Sequence, residues 1–382
     1  MDVLDTVREL YETRDLAARR WKEQGGRVVG YVSDDVPEEL ILAAGFFPFR
    51  MSGDPSSGVA EAEKYTESFY DPSVRSMLNM LLAGKYDFLD FMIIPHHSDS
   101  VLKLFHQMWW IRRLNPEIVF PPVHLFDVLH TRFLSTGLFI RKEVRELKER
   151  IEEWSGRKID RTSLSDAIRT VNENRRLLGE VAALRVASPS RLAGTDALRL
   201  IGTSGFMLKG EHNGLLKDFL ALSSLLPERE GTRLFLEGSD LDNVQLYEII
   251  QSCGGNVVAE ESSWGNSYFQ DLVDEEGDPL EAIADRYHLR PSRYRIQSLD
   301  ERVSRCVKGV TESKAEAVIF FLLEWDPAPA LDQPVQQKAL HEKGIKTLHF
   351  EAQKYNLSET QVSVRAQVER LLKEIGNGSG RE

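Results

Sequence analysis

Three apolar runs, each breaking off into a polar loop, constrain the fold of this chain more than any other feature. The clearest is Phe91-Met92-Ile93-Ile94, which ends at Pro95 and gives way to His96-His97-Ser98-Asp99-Ser100. Leu82-Ala83-Gly84 ahead of it reads as a helix C-terminus with its glycine stop. The second run, Asn256 to Ala259, leads into Glu261-Ser262-Ser263-Trp264-Gly265-Asn266; the third, Ala317 to Leu323, leads into Glu324-Trp325-Asp326. An apolar run without alternation suits a parallel strand covered on both faces. Ligands of open α/β sheets sit beyond the carboxyl ends of such strands, so the three loops are expected to line one cleft.

The surrounding sequence repeats a strand–helix–strand pattern. Arg27 to Val32 reads as a strand, Leu40 to Ala44 as a short helix stopped at Gly45, and Phe46 to Met51 as the next strand. Arg233 to Glu237, Val244 to Ser252 with its stop at Gly254-Gly255, and Asn256 to Ala259 repeat the unit; Ala317 to Leu323, Pro334 to Lys343 and Ile345 to Phe350 make a third. Val3 to Glu23 carries one helical period, and Arg141 to Arg185 is helical and polar, with a break at Gly156. That segment reads equally as a connector packed on both halves or as a solvated hairpin. The expected fold is α/β: two doubly wound, mainly parallel-sheet halves joined by a helical connector. The boundaries are 1–140 and 191–376 for the two halves, 141–190 for the connector and 377–382 for a flexible tail.

A net charge of −12 disfavours a nucleic-acid partner. No run of eighteen apolar residues occurs, and the start Met1-Asp2-Val3-Leu4-Asp5 is acidic, so a cytoplasmic location is expected. With only Cys253 and Cys306, the chain by itself lacks the ligands for a three- or four-thiolate metal centre.

In the first loop, His96 and His97 can carry protons near neutral pH. Adjacent residues of an extended segment point to opposite sides, which places one imidazole at the site and one outside. Ser33, Asp34 and Glu38 could direct a helix start at an anion, although capping alone accounts for Ser33 or Asp34. Trp109-Trp110 suits a core or an interface. Neither a Gly-x-Ser-x-Gly elbow nor a phosphate-binding P-loop is present.

Several stretches in register resemble the 2-hydroxyacyl-CoA dehydratase and benzoyl-CoA reductase family. They are Val29-Gly30-Tyr31, Val36 through Arg50, Gly84 through Asp90, Gly156-Arg157-Lys158-Ile159 with Asn172 to Arg176, and Gly238-Ser239 with Leu241-Asp242. The resemblance implies two related subunits, a 4Fe-4S cluster held by three cysteines of a subunit, and low-potential electrons from a separate ATP-hydrolysing activator. The cysteine positions fall at or next to Asp71, at Ser98 and at Ser263, with a further one at Asp326, and none is cysteine here. Oxygen donors do not replace thiolates as a set. The resemblance thus implies a non-cluster subunit of an ATP-dependent, benzoyl-CoA-reductase-like enzyme acting on an aromatic acyl-CoA. The 4Fe-4S cluster is expected on a paralogous partner and on the activator, with MgATP on the activator, and no cofactor on this chain alone. A 2-hydroxyacyl-CoA dehydratase subunit and a non-catalytic CoA-ester-binding scaffold are the alternatives. The candidates for proton transfer are His96, His97, Asp71 and Asp326, and for substrate binding Ser33, Ser98, Ser263, Trp264, Asn266 and Trp325.

Overall fold

The computed structural model describes residues 3–289 and 297–379. The N-terminal amphipathic stretch forms two helices, α1 (Val3–Glu12) and α2 (Leu16–Glu23), where its period suggests one. The chain turns between them as Arg14 is drawn inward onto the Ser52 hydroxyl and the Asp242 carbonyl oxygen, each at 2.6 Å. There follow β1 (Val28–Tyr31), α3 (Glu38–Ala43), β2 (Phe47–Arg50), α4 (Pro72–Leu82), β3 (Phe91–Pro95), α5 (Asp99–Leu114) and β4 (Val123–Phe126). The strands pair in parallel in the order β2-β1-β3-β4, with Tyr31 opposite both Arg50 and Ile93. Their carboxyl ends therefore share one edge, and the loops leaving that edge converge.

Two long helices, α6 (Leu134–Ser155) and α7 (Arg161–Val186), cross to the second half. This half contains α8 (Gly194–Thr203), α9 (Lys209–Ala221), β5 (Thr232–Gly238), α10 (Gln245–Ser252), β6 (Gly255–Glu260), α11 (Asn266–Phe269), α12 (Pro279–Leu289), α13 (Leu299–Glu312), β7 (Ala317–Leu323), α14 (Pro327–His341), β8 (Lys346–Gln353) and α15 (Gln361–Ser379). Its sheet is also parallel, in the order β6-β5-β7-β8, so the two halves repeat one topology. The last helix is anchored by the buried Val364, Val368 and Leu371 and runs through Ser379, past the boundary drawn at 376/377; residues 380–382 lie outside the described set. Among the described residues no helix is long and apolar enough to cross a membrane.

One apolar cluster joins the halves. It runs from Phe49, Met77 and Phe88 through Phe206 and Trp264 to Leu236 and Phe321. The connector packs on both halves, α7 lying against α3 on one side and against α8, α9 and α11 on the other. Its buried face is polar. Arg175 meets Glu39 at 2.8 Å and Glu38 at 3.7 Å, and Lys209 from α9 meets Glu38 at 2.9 Å, all four side chains being 2 % exposed or less. Tyr268 donates to Glu38 at 2.7 Å and Tyr287 to Glu39 at 3.0 Å. Burial raises the pKa of Glu38, but the facing Lys209 and Arg175 outweigh it and bring it down to about 2. Glu38 is thus a tie between the halves; it does not face a ligand from the helix start.

His212 lies beside this cluster, its Nδ1 2.8 Å from Asn174 Nδ2 and its Nε2 3.0 Å from the Leu200 carbonyl oxygen. The amide donates to Nδ1 and Nε2–H donates to the carbonyl, which suits a neutral ring. Burial, with Lys209 nearby, lowers its pKa to about 3. A folded pKa below the unfolded one gives stability that is present above about pH 6.5 and lost as pH falls toward 3. The melting temperature of the chain is expected to drop across that window, and His212→Gln to flatten the drop; equal slopes for the two proteins would refute this.

Candidate active site

The loops at the carboxyl edges of the two sheets enclose a cavity of about 380 Å³. Ser33 and Asp34 reach it after β1, Arg50 to Ser52 from the end of β2, Asp71 and Ser73 from the start of α4, and His96 to Ser100 after β3. From the second half come Ser239, Asp240 and Asp242 after β5, Ser263 and Trp264 after β6, Leu323 at the end of β7, and Trp325 and Asp326 after it. Gly238 has φ +122°, and a Cβ there would stand 2.2 Å from the Phe321 carbonyl oxygen. Only glycine lets β5 lie against β7 and still turn into the Ser239–Asp242 wall.

Both imidazoles line the cavity, contrary to the alternation expected of an extended segment. The strand ends at Pro95 and the backbone turns at once, the His97 amide donating to the Pro95 carbonyl oxygen at 2.7 Å. Each ring has an aspartate on Nδ1: Asp127 Oδ1 at 2.9 Å for His96, and Asp35 Oδ2 at 2.6 Å for His97. An ionised carboxylate only accepts, so these contacts hold the proton of a neutral ring on Nδ1 and leave the lone pair on Nε2. Ser33 is not an N-cap. It sits at φ +66° with its hydroxyl 2.8 Å from His97 Nδ1, while Pro37 occupies the start of α3 without a side-chain cap. His130 lies edge-on to His96 with ring centroids 5.6 Å apart and lines the same wall.

At the end of β2, Arg50 donates to the Ser263 carbonyl oxygen and hydroxyl at 2.8 Å each, and its guanidinium lies 3.9 Å from the centroid of Trp264. Asp240 holds this turn by accepting from the Ser263 amide at 2.9 Å and from its hydroxyl at 2.6 Å. Asn266 is placed behind the turn, where its Oδ1 accepts from the buried Arg185 at 2.8 Å and its amide donates to Glu260 at 3.2 Å. It is not among the cavity-lining residues; it supports the turn that is. At the mouth, Trp325, with φ +63°, meets Phe69 edge-to-face at 6.2 Å, one ring from each half and both about half exposed. Trp109 and Trp110 are half exposed on α5 and do not form core.

The oxygen-bearing residues at the expected thiolate positions are engaged locally. Asp71 caps α4, accepting from the Ser73 amide at 2.8 Å, and Ser98 caps α5, accepting from the Val101 amide at 3.2 Å. Asp326 opens α14 ahead of Pro327. Burial raises the pKa of Asp71; hydrogen bonds from Ser73 and Val74 oppose this, and the Asp242 charge adds to it. Cys306 is buried among Phe235, Val318 and Leu340, and the half-buried Cys253 packs toward the Arg365 carbonyl oxygen; neither lines the cavity. This donor set does not fit a cluster held by three thiolates.

His96, His97, Asp71, Asp326, Ser33, Ser98, Ser263, Trp264 and Trp325 thus come together around one cavity. Asp35, Asp127, His130 and Asp240 were not singled out by sequence reasoning, and Arg50 entered only through the family motif. Arg50 had a local signal, a lone cation ending the apolar strand Phe47-Pro48-Phe49. The aspartates had none, since Asp35 and Asp127 approach the histidines, and Asp240 approaches Ser263, from loops distant in sequence.

A duplicated parallel α/β scaffold with one polar cleft at the facing strand ends defines the structural class. Within it, the chain belongs to the family of the 2-hydroxyglutaryl-CoA dehydratase D-component, which matches residues 35–372. It is 28% identical over 364 residues to one of the subunits of the benzoyl-CoA reductase of Thauera aromatica, covering 91% of this chain and 92% of that protein. Identity to the (R)-phenyllactyl-CoA dehydratase beta subunit of Clostridium sporogenes is 25% over 358 residues, covering 92% and 94%. Identity to the beta subunit of the (R)-2-hydroxyglutaryl-CoA dehydratase of Acidaminococcus fermentans is 23% over 331 residues, covering 84% and 86%.

Proposed function

We propose that this chain is the non-cluster subunit of a benzoyl-CoA-reductase-like complex and forms part of the site where an aromatic acyl-CoA is reduced. The observation that carries the reading is the pair of His–Asp dyads at one cavity, lined by oxygen donors at the positions where the family resemblance implies thiolates. Such a wall suits proton delivery, which ring reduction needs along with each electron. A paralogous cluster-bearing subunit supplies the electrons, charged in turn by an ATP-hydrolysing activator that carries its own cluster and MgATP, all in the cytoplasm. A cavity of about 380 Å³ suits an acyl group, leaving the bulk of CoA outside the mouth.

The alternative is the corresponding subunit of a 2-hydroxyacyl-CoA dehydratase, favoured by similarity to the phenyllactyl-CoA enzyme over 92% of this chain. Assaying the assembled complex with benzoyl-CoA against a 2-hydroxyacyl-CoA separates the two readings. The purified chain is expected to hold no stoichiometric iron and to gain activity only with its partner. Iron near four atoms per chain with a cluster absorbance would overturn the proposal, since a 4Fe-4S cluster needs about four ligands of the thiolate class.

A further inference from the structure

The buried arginines of this protein are generally matched to carboxylates. Arg175, 1 % exposed, meets Glu39 and Glu38, and Arg185, at 0 %, grips Glu260 with two nitrogens. Arg50 differs. It is 3 % exposed and lines the cavity, yet its partners are the carbonyl and hydroxyl of Ser263 and the face of Trp264, and it forms no ion pair with a carboxylate among the described residues. Its Nε–H is buried without a hydrogen-bond partner, as are those of Arg175 and Arg185, so the missing carboxylate is what sets Arg50 apart. Burying a cation away from water costs several kcal/mol unless another group takes over its solvation. The Ser263 hydroxyl supplies part of this and is polarised in turn by Asp240 at 2.6 Å. Each terminal nitrogen gives one N–H to Ser263 and keeps a second.

We propose that Arg50 binds the carbonyl oxygen of a ligand's acyl group in this cavity; the acyl-CoA identity of that ligand rests on the function proposed above. The other lining charges favour a neutral carbonyl over a free carboxylate. Asp34, Asp71, Asp240, Asp242 and Asp326 surround the same space, so an anionic ligand would be repelled from most of the wall. A thioester oxygen is neutral on entry and reaches the guanidinium without that penalty. The contact strengthens if negative charge builds on the oxygen, because the donor is already held in place by Ser263 and Trp264. Arg50, at the end of β2, thereby holds the carbonyl end of the ligand at its seam with Ser263 and Trp264 of the second half, while the imidazoles of His96 and His97 line the cavity from the end of β3.

The test compares binding of benzoyl-CoA, its carbonyl-free thioether S-benzyl-CoA, and benzamide to the full chain by calorimetry. A hydrogen bond from a charged donor predicts at least about tenfold tighter binding of the ester than of the thioether. Arg50→Gln is expected to remove that preference and Arg50→Lys to keep part of it, with matching circular dichroism and melting curves showing both variants folded. If Arg50→Gln retains the full preference, or the wild type has none, the role of Arg50 is overturned while acyl-CoA binding stands. If neither CoA compound binds but benzamide binds in an Arg50-dependent way, the carbonyl site stands and the acyl-CoA reading fails. Absence of binding by all three overturns both.

Discussion

Replacing Arg175 with Met is expected to destabilise the chain by about 3–5 kcal/mol, measured as a lowered urea midpoint, because it leaves the buried Glu39 carboxylate without its cation. Arg175 is 1 % exposed, Glu39 0 % and Glu38 2 %, so water cannot replace the lost partner. Lys209 remains on Glu38 at 2.9 Å, leaving Glu39 as the uncompensated charge of the variant. The double variant Arg175→Met with Glu39→Met should accordingly be less destabilised than Arg175→Met alone, since removal of both members of a buried pair is frequently near neutral. A loss below about 1 kcal/mol for the single variant would show that the cluster is not a tie between the halves. The loss expected is a large part of the roughly 5–15 kcal/mol that holds a typical domain folded.

The second large effect concerns turnover. In the assembled complex, His97→Ala is expected to lower kcat by about 10²–10⁴, the usual contribution of a positioned acid–base group. Asp35→Asn should give a smaller fall in kcat with little change in KM, because Asp35 acts through His97 from 2.6 Å and does not line the cavity. The amide can present a donor to Nδ1 where the carboxylate only accepts, which disturbs the tautomer held by the native contact. A kcat for His97→Ala within threefold of the wild type would remove His97 from the reaction; the same measurement on His96→Ala and Asp127→Asn identifies which dyad carries the proton.

Much of the architecture is legible because parallel strands need unbroken apolar runs. Ala317–Leu323 reads as a strand from its composition alone, with every residue buried. The cleft could be anticipated for the same reason, since residues just past such a run must emerge at a strand end. Details depending on turns were less accessible. The sharp turn after Pro95 brings His96 and His97 to one cavity, and the positive φ of Ser33 turns an expected cap into a partner of His97. Asn266 looked equivalent to its neighbours Ser263 and Trp264, yet one residue past Gly265 it begins α11 and faces Arg185. The buried pairing of α7 was hidden because Arg175 and Glu39 lie far apart in sequence, and in isolation each reads as a solvated helix charge.

The cavity wall is assembled from two sheets of identical strand order, each contributing its own carboxyl edge. A ligand touching both walls binds the folded arrangement and not the separated halves, so its affinity is added to the cohesion of the molecule. By mass action, a ligand at one hundred times its Kd raises stability by about 2.7 kcal/mol. Occupancy should therefore slow proteolytic cutting of the segments that join the halves. It makes the protein a recorder of its own saturation: the more completely the cleft is filled, the longer the chain survives.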